Sequence, residues 1–158
     1  MTRSFLLLAL GLAACTSPET PPAEAPLASD APTLAISDAY AMPAPLGGTG
    51  VLFFTIDGGP TPDTLVSVSY DGAAKTDLHE SIGEAHGMSG MHTLAGIPVT
   101  AGAQVRLGPG GYHTMLVELT RPLAVGDTLD ATATFASGAT LPVRAAVRPL
   151  DALPEPTP

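Results

Sequence analysis

"LGPGGYHTMLVEL" (residues 107–119) sets a turn directly against a strand. The Pro and Gly residues of "GPGG" (108–111) mark a tight connection. A phosphate cradle would need a following Lys-Ser/Thr and a helix, and neither is present, so the segment reads as a hairpin turn. Beyond it, "HTMLVEL" (113–119) alternates, with Leu116 on one face and His113, Met115, Val117 and Leu119 on the other. The stretch is therefore a half-buried β-strand, and it carries a histidine and a methionine side by side on one face.

The same reading extends along the chain. "GVLFFTI" (50–56), "TLVSVSY" (64–70), "KTDLHE" (75–80), "AQVRL" (103–107), "TLDATATF" (128–135) and "LPVRAAV" (141–147) are short apolar or alternating runs, separated by turn signals such as "DGGPTPD", "YDG", "RPLAVGD" and "ASG". In "TLDATATF", Leu129, Ala131, Ala133 and Phe135 face one way and the Thr and Asp residues the other, a plain half-buried strand. No stretch shows a helical repeat capped at both ends. Seven such strands predict an all-β fold, an antiparallel Greek-key sandwich in a single domain.

The ends of the chain read differently. "MTRSFLLLALGLAAC" (1–15) has a basic start at Arg3, an apolar run and small residues before Cys15, which is an export signal too short to span a bilayer. "LAAC" resembles a bacterial lipobox, which implies cleavage after residue 14 and acylation of Cys15. Each buried methylene of such a chain is worth roughly 0.8 kcal/mol of membrane attachment. Cys15 is the only cysteine, so no intramolecular disulfide can form. The expected organisation is a signal peptide over 1–14, a lipidated Cys and Pro/Ala-rich tether over 15–35, a folded domain over 36–148 and an unpacked tail over 149–158.

Charge restricts the partners. The chain carries a net charge of −9, and removal of Arg3 leaves five Lys and Arg against fifteen Asp and Glu, or −10. Nucleic-acid binding needs clustered basic residues, and here they are few and scattered. A polybasic membrane anchor is excluded on the same ground, which leaves attachment to the acyl group on Cys15.

Nucleophilic catalysis is poorly supplied, with no cysteine in the domain and no "GxSxG" elbow. Metal chemistry is better supplied. All four histidines and three of the four methionines beyond the signal lie between His79 and Met115. Imidazole suits several late transition metals, but thioether sulfur is soft and selects Cu(I). Blue-copper electron transfer needs a Cys thiolate, and structural zinc favours Cys with His, so neither fits a domain without cysteine. Met42 lies far from this group and reads as core filling. His86, Met88 and His92 sit in a Gly-rich stretch that reads as an exposed loop, where they are bystanders or helpers in metal handover.

The spacing of the rest resembles the PCuAC family of periplasmic copper chaperones, whose signature is His, ten residues, Met, twenty-one residues, His, one residue, Met. Here His79 is followed by eleven residues, Met91, twenty-one residues, His113, one residue and Met115. "DLHES", "LGPGGYHTMLVEL" and "RPLAVGDTLDATATFASGATLPVRAAVR" also resemble family phrases, over nearly the whole span from Ile36 to Arg148. The extra residue falls in "IGEAHGMSG", where an insertion costs little. Met88 is the rival to Met91 but spoils the second spacing. The tail "DALPEPTP" lacks the His and Met residues with which some relatives hold a second copper.

The resemblance implies a cupredoxin-like sandwich or barrel that binds Cu(I) through His79, Met91, His113 and Met115. It implies a binding protein and not an enzyme, lipid-anchored to a bacterial membrane in the periplasm. Its expected role is to deliver copper to the copper centres of a cytochrome c oxidase subunit, alongside a Sco-type thiol protein. Two other readings stay open: a copper-buffering or resistance protein that sequesters without delivery, and a structural Ig-like lipoprotein that holds no metal.

Overall fold

The computed structural model describes residues 32–82, 90–149 and 152. Cys15, His86 and Met88 lie outside these residues. Ten strands follow in chain order: β1 (Ala35–Ala41), β2 (Gly50–Asp57), β3 (Asp63–Ser69), β4 (Ala73–Ile82), β5 (Gly90–Leu94), β6 (Ile97–Val99), β7 (Gln104–Leu107), β8 (Tyr112–Leu119), β9 (Thr128–Phe135) and β10 (Thr140–Val147). They form one nearly closed, barrel-like sheet in the order β5-β4-β8-β7-β2-β1-β10-β9-β3-β6, with β8 also pairing β2.

Alternation builds the core. Leu52, Phe54 and Ile56 of β2, Leu129, Ala131, Ala133 and Phe135 of β9, and Val143, Ala145 and Val147 of β10 all point inward and are buried. Each large side chain so buried contributes about 1.5–3 kcal/mol by leaving water. The all-β expectation holds, with two differences in detail. β1 pairs β10 in parallel, as β7 does β8 at Leu107 and Tyr112. Three strands, β1, β5 and β6, also come in addition to the seven read from the sequence.

Among the described residues, two non-glycine positions break the alternation with a left-handed backbone: Asp38 (φ 50°) and Glu118 (φ 52°). In β8, Leu116 and Leu119 are both in the core although three residues apart. The left-handed turn at Glu118 returns Leu119 to the inner face, which corrects its expected place beside Val117. In β1 the pairing with β2 passes from Ser37↔Thr55 to Tyr40↔Phe53, so two β1 residues oppose the single residue Phe54. This β-bulge brings Tyr40 onto the face that Ser37 occupied.

Candidate metal centre

Strands β5, β4 and β8 lie side by side, and their registers decide which side chains share a face. His79 of β4 is opposite both Thr93 of β5 and His113 of β8. Met91 is opposite Ser81, and Met115 is opposite Asp77. Directly opposed residues project to the same side, and so do residues two apart along a strand. His79, Met91, His113 and Met115 therefore all stand on one face of this three-strand segment. Leu78, Thr114 and Leu116 take the opposite, core-facing side.

The two imidazoles are close, with ring centroids 5.8 Å apart. His113 is buried, at 4% exposure, with the Phe53 ring 6.4 Å from its own. Its Nδ1–H donates to the Gly111 carbonyl at 3.0 Å. A carbonyl can only accept, so Nδ1 carries a proton, and in the tautomer this selects the lone pair open to a metal is on Nε2. The "GPGG" turn thus places a carbonyl that fixes the tautomer of the histidine two residues later. The sequence marked the turn but not this contact.

His79 is prepared differently. Its Nε2 lies 3.3 Å from the Thr93 hydroxyl, and its Nδ1 is buried with no hydrogen-bond partner among the described residues. A buried polar atom without a partner is costly, and a bound metal is one way to satisfy it. Burial, followed by the neighbouring His113, pushes the His79 pKa below its ordinary 6.5. The ring therefore keeps the neutral form that a ligand needs. Asp77 on the same face is tied to Lys75 at 2.8 Å.

Met91 is 60% exposed on the edge strand β5, while Met115 on the inner strand β8 is half-buried. One side of the set thus opens to solvent and the other is walled by the sheet. Among the described residues, no group of three or more His, Cys, Asp or Glu side chains could hold a metal ion. The donors this face adds to the two imidazoles are the thioethers.

His92 departs from its expected place in a loop. It lies on β5 opposite Glu80, with its Nε2 3.6 Å from the carboxylate, and projects to the other side from His79. Thr93, Gly111 and Phe53 complete the surroundings of the two histidines. Thr93 and Phe53 carried no signal of their own for this role in the sequence, and Gly111 carried only that of the turn.

A nearly closed cupredoxin-like barrel with two imidazoles and two thioethers on one face defines the class, that of PCuAC domains. The fold is similar to a copper-bound PCuAC domain from PmoF2, at 22% identity and a TM-score of 0.60 over 75% of this chain and 95% of that one. It is also similar to the Cu(I) form of DR1885 from Deinococcus radiodurans, at 27% identity and a TM-score of 0.55 over 76% and 81% of the two chains. A protein of Leifsonia xyli subsp. xyli described as "Putative lipoprotein Lxx21020" is 28% identical over 139 residues, 88% of this chain and 83% of that protein. Residues 34–147 match the family described as "Putative lipoprotein LpqE-like", and the chain belongs to that family.

Proposed function

We propose that this chain is an extracytoplasmic, lipid-anchored metallochaperone that binds Cu(I) through His79, Met91, His113 and Met115 and hands it to the copper centres of cytochrome c oxidase. One observation carries the reading. Four residues spread from 79 to 115 come to a single face, with His79 and His113 as direct partners across β4 and β8. Likeness to PCuAC domains that include a Cu(I)-bound one, and membership of a family described as lipoproteins, support the cargo and the anchoring at Cys15.

The chemistry fits transport. Thioethers and imidazoles hold Cu(I) without a thiol that an oxidising compartment would consume. An acceptor's thiolates, being softer and charged, would take the metal over at the exposed Met91 side. A Sco-type protein is the expected companion in that transfer.

A bicinchoninate competition titration tests the site. Wild type should retain about one Cu(I) per chain, and Met91→Ala or Met115→Ala should weaken retention at least about tenfold. Unchanged retention in both variants would overturn the assignment. Deleting the gene and assaying oxidase activity tests the role: loss at low copper supports delivery, whereas sensitivity only at toxic copper supports a buffering protein instead.

A further inference from the structure

A cavity of about 310 Å³ opens between β1, β2, β7 and the end of β10, lined by Asp38, Tyr40, Thr55, Gln104, Arg106 and Arg148 among others. It is at the small end of ligand cavities. Thr55 and Tyr40 are the buried polar groups of its wall, at 5% and 3% exposure. The Tyr40 hydroxyl is shut from solvent and has no hydrogen-bond partner among the described residues. Burial raises the Tyr40 pKa, so this hydroxyl stays protonated and is an unused donor.

The rim supplies charge that is positive on balance. The Arg148 guanidinium lies 5.9 Å from the centre of the Tyr40 ring, close enough for a cation–π contact that orients it over the cavity. Arg106 adds a second cation, and Asp38 sets one carboxylate against them. The lining residues thus carry one formal positive charge in a chain whose overall charge is −9. Gln104 adds an amide whose Nε2 already donates to Asp57 at 2.8 Å.

We propose that this cavity is a carboxylate-binding site, in which Arg148, supported by the charge of Arg106, pairs with the anion and the Tyr40 hydroxyl donates to it. Guanidinium and carboxylate match as planar groups that can form two parallel hydrogen bonds. One net positive charge suits a monoanion and leaves a phosphate dianion under-neutralised. The carboxylate has two sources, a free small acid or the chain's own Asp151 or Glu155, which follow Arg148 within seven residues. The site stands independently of what His79 and His113 hold, although Phe53 lies between Tyr40 and His113, with ring centroids 5.1 Å and 6.4 Å away.

The test is a titration of the full chain with sodium acetate at constant ionic strength, followed by amide chemical shifts. Saturable shifts are expected at Tyr40, Thr55 and Arg148. Arg148→Gln should weaken binding at least about tenfold and Tyr40→Phe about ten- to 150-fold, as for hydrogen bonds to a charged group. Arg144→Gln, on β10 beside Asp130, should change nothing. Arg148 is exposed, so its variant carries the test even where Tyr40→Phe disturbs folding. In the double variant Asp151→Asn, Glu155→Gln, tighter acetate binding identifies the tail as the resident carboxylate, and unchanged binding identifies a free acid. Absence of saturable shifts in both chains, equal shifts in Arg148→Gln, or tighter binding of inorganic phosphate than of acetate would overturn the proposal.

Discussion

His79 and His113 stand opposite one another in the β4–β8 ladder, with ring centroids 5.8 Å apart. Each has one nitrogen held by the protein, His113 by the Gly111 carbonyl and His79 by the Thr93 hydroxyl. His79→Leu and His113→Leu should each lower Cu(I) affinity by more than the roughly 10–100-fold typical of losing an outer partner. The double variant should lose less than the product of the two, because neighbours in one site are not additive. Competition titration of the three variants checks this, and full additivity would argue against a shared metal.

Thr93 touches the site without being a candidate ligand. Thr93→Val keeps the shape and removes the contact at 3.3 Å to His79 Nε2. Cu(I) affinity should fall about tenfold. Thr93 is exposed on an edge strand, so unfolding stability of the metal-free protein should stay within about 0.5 kcal/mol of wild type. Urea denaturation beside the titration separates the two effects.

Gly58 closes the end of β2 where no side chain fits. Its N–H donates to the Ala103 carbonyl at 2.8 Å. A Cβ there would lie 2.4 Å from the Thr100 carbonyl oxygen and 2.7 Å from that of Ala103. Both are backbone atoms, so the connection between β6 and β7 would have to move. Gly58→Ala should cost about 1–3 kcal/mol, as overpacking does, read as a lower urea midpoint at unchanged slope.

Asp63 ties the start of β3 to the β9–β10 turn. Its carboxylate accepts from the Ser137 hydroxyl at 2.5 Å, the Ser137 N–H at 3.1 Å and the Thr64 N–H at 2.8 Å. Led by the Ser137 hydroxyl, these bonds lower its pKa from 3.8. The folded protein thus favours the ionised form more than the unfolded chain does. The stabilisation is present above pH 3.8 and is lost as pH falls through the lower folded-state value. Ser137→Ala should weaken that acid-side loss and lower stability at neutral pH. Acid titration of both proteins by circular dichroism measures it.

The legible parts of the fold were those where one face is wet and the other dry. β9 is the clearest, since Leu129, Ala131, Ala133 and Phe135 alternate with Thr128, Asp130 and Thr132, which are exposed, and Thr134, which is half-buried. β5 is exposed on both sides except at Leu94, so it has no hydrophobic period, and the segment with Met91 and His92 reads as loop. Leu119 reads onto the wrong face because a left-handed Glu118 leaves no mark in the residue types. The candidate ligands were legible through spacing, because Met and His are scarce enough here for their positions to stand out. The Tyr40 cavity was not, since its lining comes from residues 38 to 148 and meets only through long-range pairing.

The bulge at Asp38 works as a phase slip in an otherwise even count. With strict alternation, Ser37, Ala39 and Ala41 would share one side of β1. The uncounted residue instead lets Ser37 and Tyr40 share it, while Ala41, opposite Leu52, goes to the core. The slip absorbs the extra residue, so that Tyr40 still lies over Phe53, and Phe53 beside His113. A chain shortened by residue 38 alone would keep Tyr40 opposite Phe53 and lose only the carboxylate at the cavity rim, so the spacing of the two sites is set by β2 and not by the length of chain that leads into β1.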